Sequence, residues 1–166
     1  MQVFGGEKAS PACTNTFEAW HSSVNAVMYQ GGSVDELHRT FAPHVDPQCI
    51  FRPPTYFTPW HGRDETLLIL GCVSQVFGQS FKYGRQWLSP DGREWALEFS
   101  ANVGASERIV HGIDLVSLGE DGRICEFTVL ARPPNAVAAL KDEMMRRVPV
   151  KLAALKAKQA LGISTS

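Results

Sequence analysis

No apolar run of about 18 residues occurs in this chain, so no segment has the length to cross a bilayer as a helix. An excess of one charge is missing too. The 16 Lys and Arg residues face 17 Asp and Glu, for a formal net charge of −1. Without a basic stripe, a nucleic acid finds no electrostatic footprint. The opening stretch "MQVFGGEKASPACTNTF" lacks the basic start and apolar stretch of a secretory signal, which points to the cytoplasm. Cysteine is sparse and scattered, at Cys13, Cys49, Cys72 and Cys125, with no CxxC pair and no His/Cys ligand cluster. These read as reduced, mostly buried thiols. A disulfide is the alternative, but a chain of 166 residues needs no such staple. Phosphate loop, dinucleotide fingerprint and metal-ligand spacing are all missing, so no cofactor is implied.

What is present suits one globular domain with a sizeable core: 44% hydrophobic and 20% charged residues. Residues 1–15 read as a flexible arm, with Gly5-Gly6 and Pro11. From Thr16 the pattern turns helical, with Phe17, Trp20, Val24, Val27 and Met28 on one face, until Gly31-Gly32 stops it. Ser33 and Glu36 form a capping box for a short second helix ending near Phe41. The stretch "PQCIFRPPTYFTPW" is extended, because Pro53-Pro54 excludes a helix and demotes a strand to an edge. Asp64 is expected to cap a third helix, "ETLLILGCVSQVF", which is apolar almost all round and ends at Gly78.

Four strands follow. In "SFKYGRQWL", alternation puts Phe81, Tyr83, Arg85 and Trp87 on one face. In "REWALEFSANV" it puts Trp95, Leu97, Phe99, Ala101 and Val103 together, after a turn at Pro90-Asp91-Gly92. The strands "ERIVHGIDLVSL" and "RICEFTVLA" are joined at Gly119-Glu120-Asp121-Gly122. Pro133-Pro134 ends the last one and Asn135 caps a final helix from Ala136 to Leu161, interrupted at Pro149. Residues 16–140 form the domain and 141–166 a C-terminal helical extension. Helices followed by a meander argue an α+β fold, helices packed on one face of an antiparallel sheet.

The strand around Asp114 holds one acid among apolar residues. Val110, Gly112, Val116 and Leu118 share its face and His111 points to the other. An acid there is desolvated and functional, or else paired with an arginine or a backbone group. His21 and Asn25 lie one turn apart beside the apolar stripe of the first helix, placed to shuttle and orient a proton. The alternative is a pair at the edge of a core face. His61 precedes the third helix and is a candidate for a pocket mouth. Tyr56, Phe57, Trp60, Trp87 and Trp95 are aromatic surface for a core or pocket wall, and no basic stripe makes them a platform for bases. Arg52 and Arg132, beside proline pairs, suit structural ion pairs better than a carboxylate clamp.

Three segments resemble the nuclear transport factor 2-like superfamily, in its SnoaL-like and ketosteroid-isomerase-like branch. "GGSVDELHRTFAPHV" is similar to its short second helix and strand entry, "WHGRDETLLIL" to the start of its third helix, and "GIDLVSLGEDGRICEFTVLARP" to its final hairpin. The resemblance implies a cone: a curved antiparallel sheet wrapped around N-terminal helices, enclosing an apolar pocket, often dimeric through the outer sheet face. It does not imply one reaction, because the fold hosts isomerases, cyclases, dehydratases, hydrolases and non-catalytic modules. Asp114 matches the acid that ketosteroid isomerases keep protonated. Their base falls on Pro53 and their tyrosine donor near Val24 or Asn25, which disfavours steroid isomerisation. The acid that SnoaL-like cyclases carry on the last strand falls on the apolar face of Cys125, Phe127, Val129 and Ala131.

The expectation is a homodimer that takes a small apolar molecule, with Asp114, His21, Asn25 and His61 as the proton-transfer group. Trp20, Val24, Tyr56, Trp60, Tyr83, Trp95, Phe99, Val116 and Phe127 form the wall. A non-catalytic binding or dimerisation module of the same fold is the alternative, and a protein-transport adaptor fits least.

Overall fold

The computed structural model describes residues 2–3 and 9–162. Strand β1 (Gln2–Val3) is followed by α1 (Pro11–Tyr29), α2 (Val34–Phe41), β2 (Val45–Arg52), β3 (Trp60–His61) and α3 (Arg63–Phe77). Then come β4 (Lys82–Leu88), β5 (Glu94–Asn102), β6 (Ile109–Leu118), β7 (Ile124–Arg132) and α4 (Pro134–Ala160). The fold is α+β, as expected: one curved, unclosed sheet in the order β1-β4-β5-β6-β7-β2-β3, wrapped around helices. The meander β4 to β7 is antiparallel. The sheet is mixed, because β2 joins β7 in parallel and β1 joins β4 in parallel.

Several element ends differ from the sequence reading. Helix α1 begins at Pro11 and not at Thr16: Ser10 Oγ accepts the Cys13 N–H at 3.2 Å, and proline in the first turn lacks a donor that turn does not use. Residues 11–15 of the expected arm are therefore helical, while residues 1 and 4–8 lie outside the described residues. At α3 the capping position is Gly62, with φ +108°, and Asp64 sits inside the first turn, where it meets His38 Nε2 at 3.2 Å. Helix α4 starts at Pro134, ahead of Asn135, and runs on through Pro149. Met144 and Leu155, buried on either side of that proline, hold both halves against the body, which offsets its missing hydrogen bond. Of the tail, residues 163–166 lie outside the described residues.

The expected common face of Phe81, Tyr83, Arg85 and Trp87 is broken. Tyr83 pairs with Phe99 but Gln86 with Leu97, so β4 carries one extra residue between them. Tyr83 keeps the inner face, while Arg85 turns outward to Glu98 (2.9 Å) and lies 5.1 Å from the Trp87 ring centroid. A second irregularity, where Ser117 pairs with Glu126 but Leu118 with Ile124, takes Cys125 off the inner face. Its thiol donates to the Ser117 carbonyl.

Strands β5 and β6 alternate as expected. Trp95, Leu97, Phe99 and Ala101 are buried, as are Val110, Gly112, Asp114, Val116 and Leu118. Helix α1 fills the concavity, with Phe17 edge-on to Trp95 at 5.1 Å and Trp20 at 5.4 Å from Phe127. Phe17, Val24 and Leu68 are partly buried against this core. Each fully buried large side chain stabilises by about 1.5–3 kcal/mol.

Gly112 permits a close approach of Phe99 to the backbone of β6. A Cβ there would lie 2.4 Å from Phe99 Cζ and 2.7 Å from the Leu130 carbonyl oxygen. The backbone oxygen cannot yield as a flexible side chain would. Gly112→Ala is expected to lower unfolding free energy by about 1–3 kcal/mol through overpacking. Urea denaturation measures it, and an unchanged midpoint would contradict the described packing.

Candidate functional site

Period-two alternation on β6 carries Asp114 inward, and a cavity of about 260 Å³ lies beside it. The helical lining of the cavity comes from α4, through Leu140, Met144, Met145, Val148 and Leu152, and from α3, through Ile69, Leu70, Val73 and Phe77. Trp20 and Val24 of α1, Tyr83 of β4 and Phe99 of β5 form further wall, as do Tyr56 and Trp60. The wall is almost wholly apolar, and Asp114 supplies its carboxylate.

Asp114 is 6% exposed. Its Oδ2 accepts from the Tyr83 hydroxyl at 3.5 Å, and the Tyr83 oxygen accepts from Trp20 Nε1 at 2.7 Å. Burial pushes the Asp114 carboxyl up from its ordinary 3.8 to about 8, although the Tyr83 hydrogen bond pulls the other way. Burial likewise raises the Tyr83 hydroxyl well above its ordinary value, with the Asp114 charge adding to it. At neutral pH both groups therefore hold their protons. The site presents one neutral carboxyl, backed by the Tyr83 hydroxyl that donates to it, in an apolar wall, an arrangement suited to protonating or hydrogen-bonding an oxygen acceptor.

The other expected proton-transfer residues lie elsewhere. The His21 ring packs on Phe17 (4.5 Å) and against Tyr83 (5.3 Å), behind the cavity wall. Its Nε2 is buried without a hydrogen-bond partner among the described residues, and burial lowers its pKa. Asn25 is exposed on the outer side of α1, because 100° per residue turns it away from Val24. His61 is exposed on β3, and His111 on the outer face of β6.

Three expected wall residues are core instead. Trp95 donates Nε1–H to the Gly92 carbonyl at 2.9 Å, Val116 is 1% exposed, and Phe127 stands between Trp20 and Phe51. They share the inner face but sit farther along their strands, where α1 fills the cone. Pro53 and Val129 line the cavity at positions the resemblance associates with carboxylates. Arg52 pairs with Glu126 and clamps nothing in the cavity. The residue whose part the sequence reading missed is Tyr83, expected as wall only. Its place opposite Phe99, with Asp114 opposite Leu97 on the next strand, brings the two polar side chains onto one patch.

Among solved structures, a steroid delta-isomerase from Pseudomonas aeruginosa is 34% identical, with a TM-score of 0.74, covering 89% of this chain and 99% of its own. A cystatin-like-fold protein from Silicibacter pomeroyi DSS-3 is 35% identical, with a TM-score of 0.66, covering 87% and 97%. The epoxide hydrolase/cyclase-like enzyme SalBIII, of pyran ring formation in salinomycin, shares the fold at 15% identity and a TM-score of 0.54, covering 74% and 94%. No protein-family model and no curated protein matches the chain.

The raised Asp114 pKa has a definite consequence for stability. Below pH 3.8 the carboxyl is protonated in both folded and unfolded chains. Between 3.8 and about 8 the unfolded chain releases the proton that the folded one keeps. Stability therefore falls as pH rises through that window, by about 1.4 kcal/mol per pH unit at most, and the loss stops growing above it. Asp114→Asn removes this dependence. Its stability relative to the unsubstituted protein should climb from pH 4 to pH 8 in parallel urea titrations, and a constant difference would contradict the desolvated carboxyl.

Proposed function

The chain belongs to the nuclear transport factor 2-like superfamily, and from that membership we propose that its cavity takes a small, neutral, largely apolar molecule and transfers a proton to it from Asp114 without a cofactor. The observation that carries this reading is the protonated carboxyl beside the Tyr83 hydroxyl in an otherwise apolar wall. A neutral ligand is favoured because, among the described residues, no cation lines the cavity to meet an anion. With proline at position 53, no second carboxylate among the described residues lines the cavity to collect a proton from carbon. That favours reactions in which protonating an oxygen is the main demand: ring opening, cyclisation or dehydration, with the substrate's own hydroxyl or water as partner. A binding module remains the second reading, supported by the single carboxylate in the lining.

A panel of neutral epoxides, tertiary alcohols and cyclic ketones tests the two readings. Asp114→Asn keeps the shape and loses the exchangeable proton, so turnover should drop by about 100-fold or more. For the unsubstituted protein kcat/KM should fall as pH rises through about 8, where Asp114 ionises. Undiminished turnover by Asp114→Asn would rule out the acid. Tight binding without turnover across the panel would favour the module.

The same reading includes a homodimer. Ile109 and Leu115 of β6 and Leu130 of β7 are exposed on the outer sheet face, among polar neighbours such as His111 and Thr128. An isologous contact brings such a mixed face against its own copy. Light scattering at micromolar concentration should report twice the 18.3 kDa chain mass, and Leu130→Glu should halve it. A monomer before substitution would remove the dimer from the proposal.

A further inference from the structure

A tyrosine hydroxyl has one proton to give and an oxygen that accepts, whereas an indole N–H only donates. Trp20 Nε1 lies 2.7 Å from the Tyr83 oxygen, so the indole occupies the accepting side of that hydroxyl. The Tyr83 proton is then directed onward, to Asp114 Oδ2 at 3.5 Å. A protonated carboxyl has one oxygen that accepts and one that carries the proton. Tyr83 takes the accepting oxygen, which leaves the proton on Oδ1, and that oxygen makes no hydrogen bond to the described residues.

We propose that Trp20 is a positioning residue: its indole N–H sets the direction of a one-way chain, Trp20 to Tyr83 to Asp114, that keeps the Asp114 proton on Oδ1 and available to an acceptor in the cavity. This rests on the reading of Asp114 as the proton donor. Without the indole, the Tyr83 oxygen is free to accept the carboxyl proton, and the chain reverses into the wall. Three elements that meet only in the folded protein, α1, β4 and β6, supply the three links. The bland account is a buried indole that has merely found a partner, as buried indoles usually do. The two accounts differ in whether Asp114 feels the indole. Other titratable side chains near the pair are His21, packed on the Tyr83 ring at 5.3 Å, and Tyr29, whose hydroxyl donates to the Phe81 carbonyl. Tyr56, also in the cavity wall, is engaged with Met145.

The test follows the Asp114 carboxyl carbon by NMR through a pH titration of the full chain with no ligand present. Trp20→Phe keeps a ring and removes the donor, which weakens Tyr83 as a donor to the carboxylate. The Asp114 midpoint should rise, by on the order of half a pH unit. In the Tyr83→Phe background the same substitution should add nothing, because the indole acts through that hydroxyl. An unmoved midpoint in Trp20→Phe, or an equal rise in the Tyr83→Phe background, would overturn the proposal. Should Trp20→Phe fail to fold, the indole N–H resonance of Trp20 in the unsubstituted protein decides. It should shift as Asp114 titrates and cease to do so in Tyr83→Phe, and a flat resonance would overturn the chain. Because no substrate is involved, this result stands apart from the turnover of Asp114→Asn: the acid role can fall while the chain holds, and the reverse.

Discussion

An open, curved sheet with an apolar inner face must have that face covered, and the rest of this structure follows from how it is covered. Alternation on β5 and β6 commits Trp95, Leu97, Phe99, Val110 and Val116 to one side. Burying each is worth about 1.5–3 kcal/mol, so the hydrophobic term outweighs any single polar contact nearby. Helix α1 packs Phe17 and Trp20 onto that face. Farther along, α1 lines the cavity with Val24, Val27 and Met28, and α3 and α4 complete the helical lining. The empty space is what three helices and the sheet leave between them.

Asp114 sits at the boundary between filled and empty. Two effects compete over its proton. Burial favours the neutral acid, while the Tyr83 hydroxyl favours the anion. The carboxyl still ends near 8, so exclusion of water wins over one hydrogen bond of 3.5 Å. Tyr83 is itself held neutral by the same dryness. The Tyr83 hydroxyl is partnered on both sides, its oxygen by the Trp20 indole and its proton by Asp114 Oδ2.

Fold class was legible because the signals were redundant. Turn residues at Gly92 and Gly122, both with positive φ, agree with the alternation on either side of them. Ser33 caps α2 through the Glu36 N–H as its spacing from Glu36 suggests. Side-chain direction was legible on β5 and β6 for the same reason. It was misjudged on β4, where the extra residue at Tyr83–Gln86 shifts the phase. Gly84 was the available signal, since an isolated glycine in a strand often marks a bulge, and a Cβ there would lie 2.9 Å from Glu98 Oε2. Depth along a strand was not legible at all. Val116 and Asp114 share a face, yet one is packed core and the other borders open space, because that depends on how the helices pack over each level of the strand. Helical spacing also placed Asn25 too near the stripe; one residue beyond Val24 is a rotation of about 100°, enough to reach solvent.

The two sides of the cavity differ in mechanical character. On the sheet side stand flat, stiff rings, Phe81, Tyr83 and Phe99, with Phe81 and Phe99 stacked at 5.6 Å. Across from them α4 presents Met144 and Met145, and α1 adds Met28. Methionine is unbranched and its thioether polarisable, so it refits to a changed shape at little cost. One side of the space is a fixed die and the other is putty. A sulfoxide formed on a thioether there would put a polar, chiral group into an otherwise apolar wall.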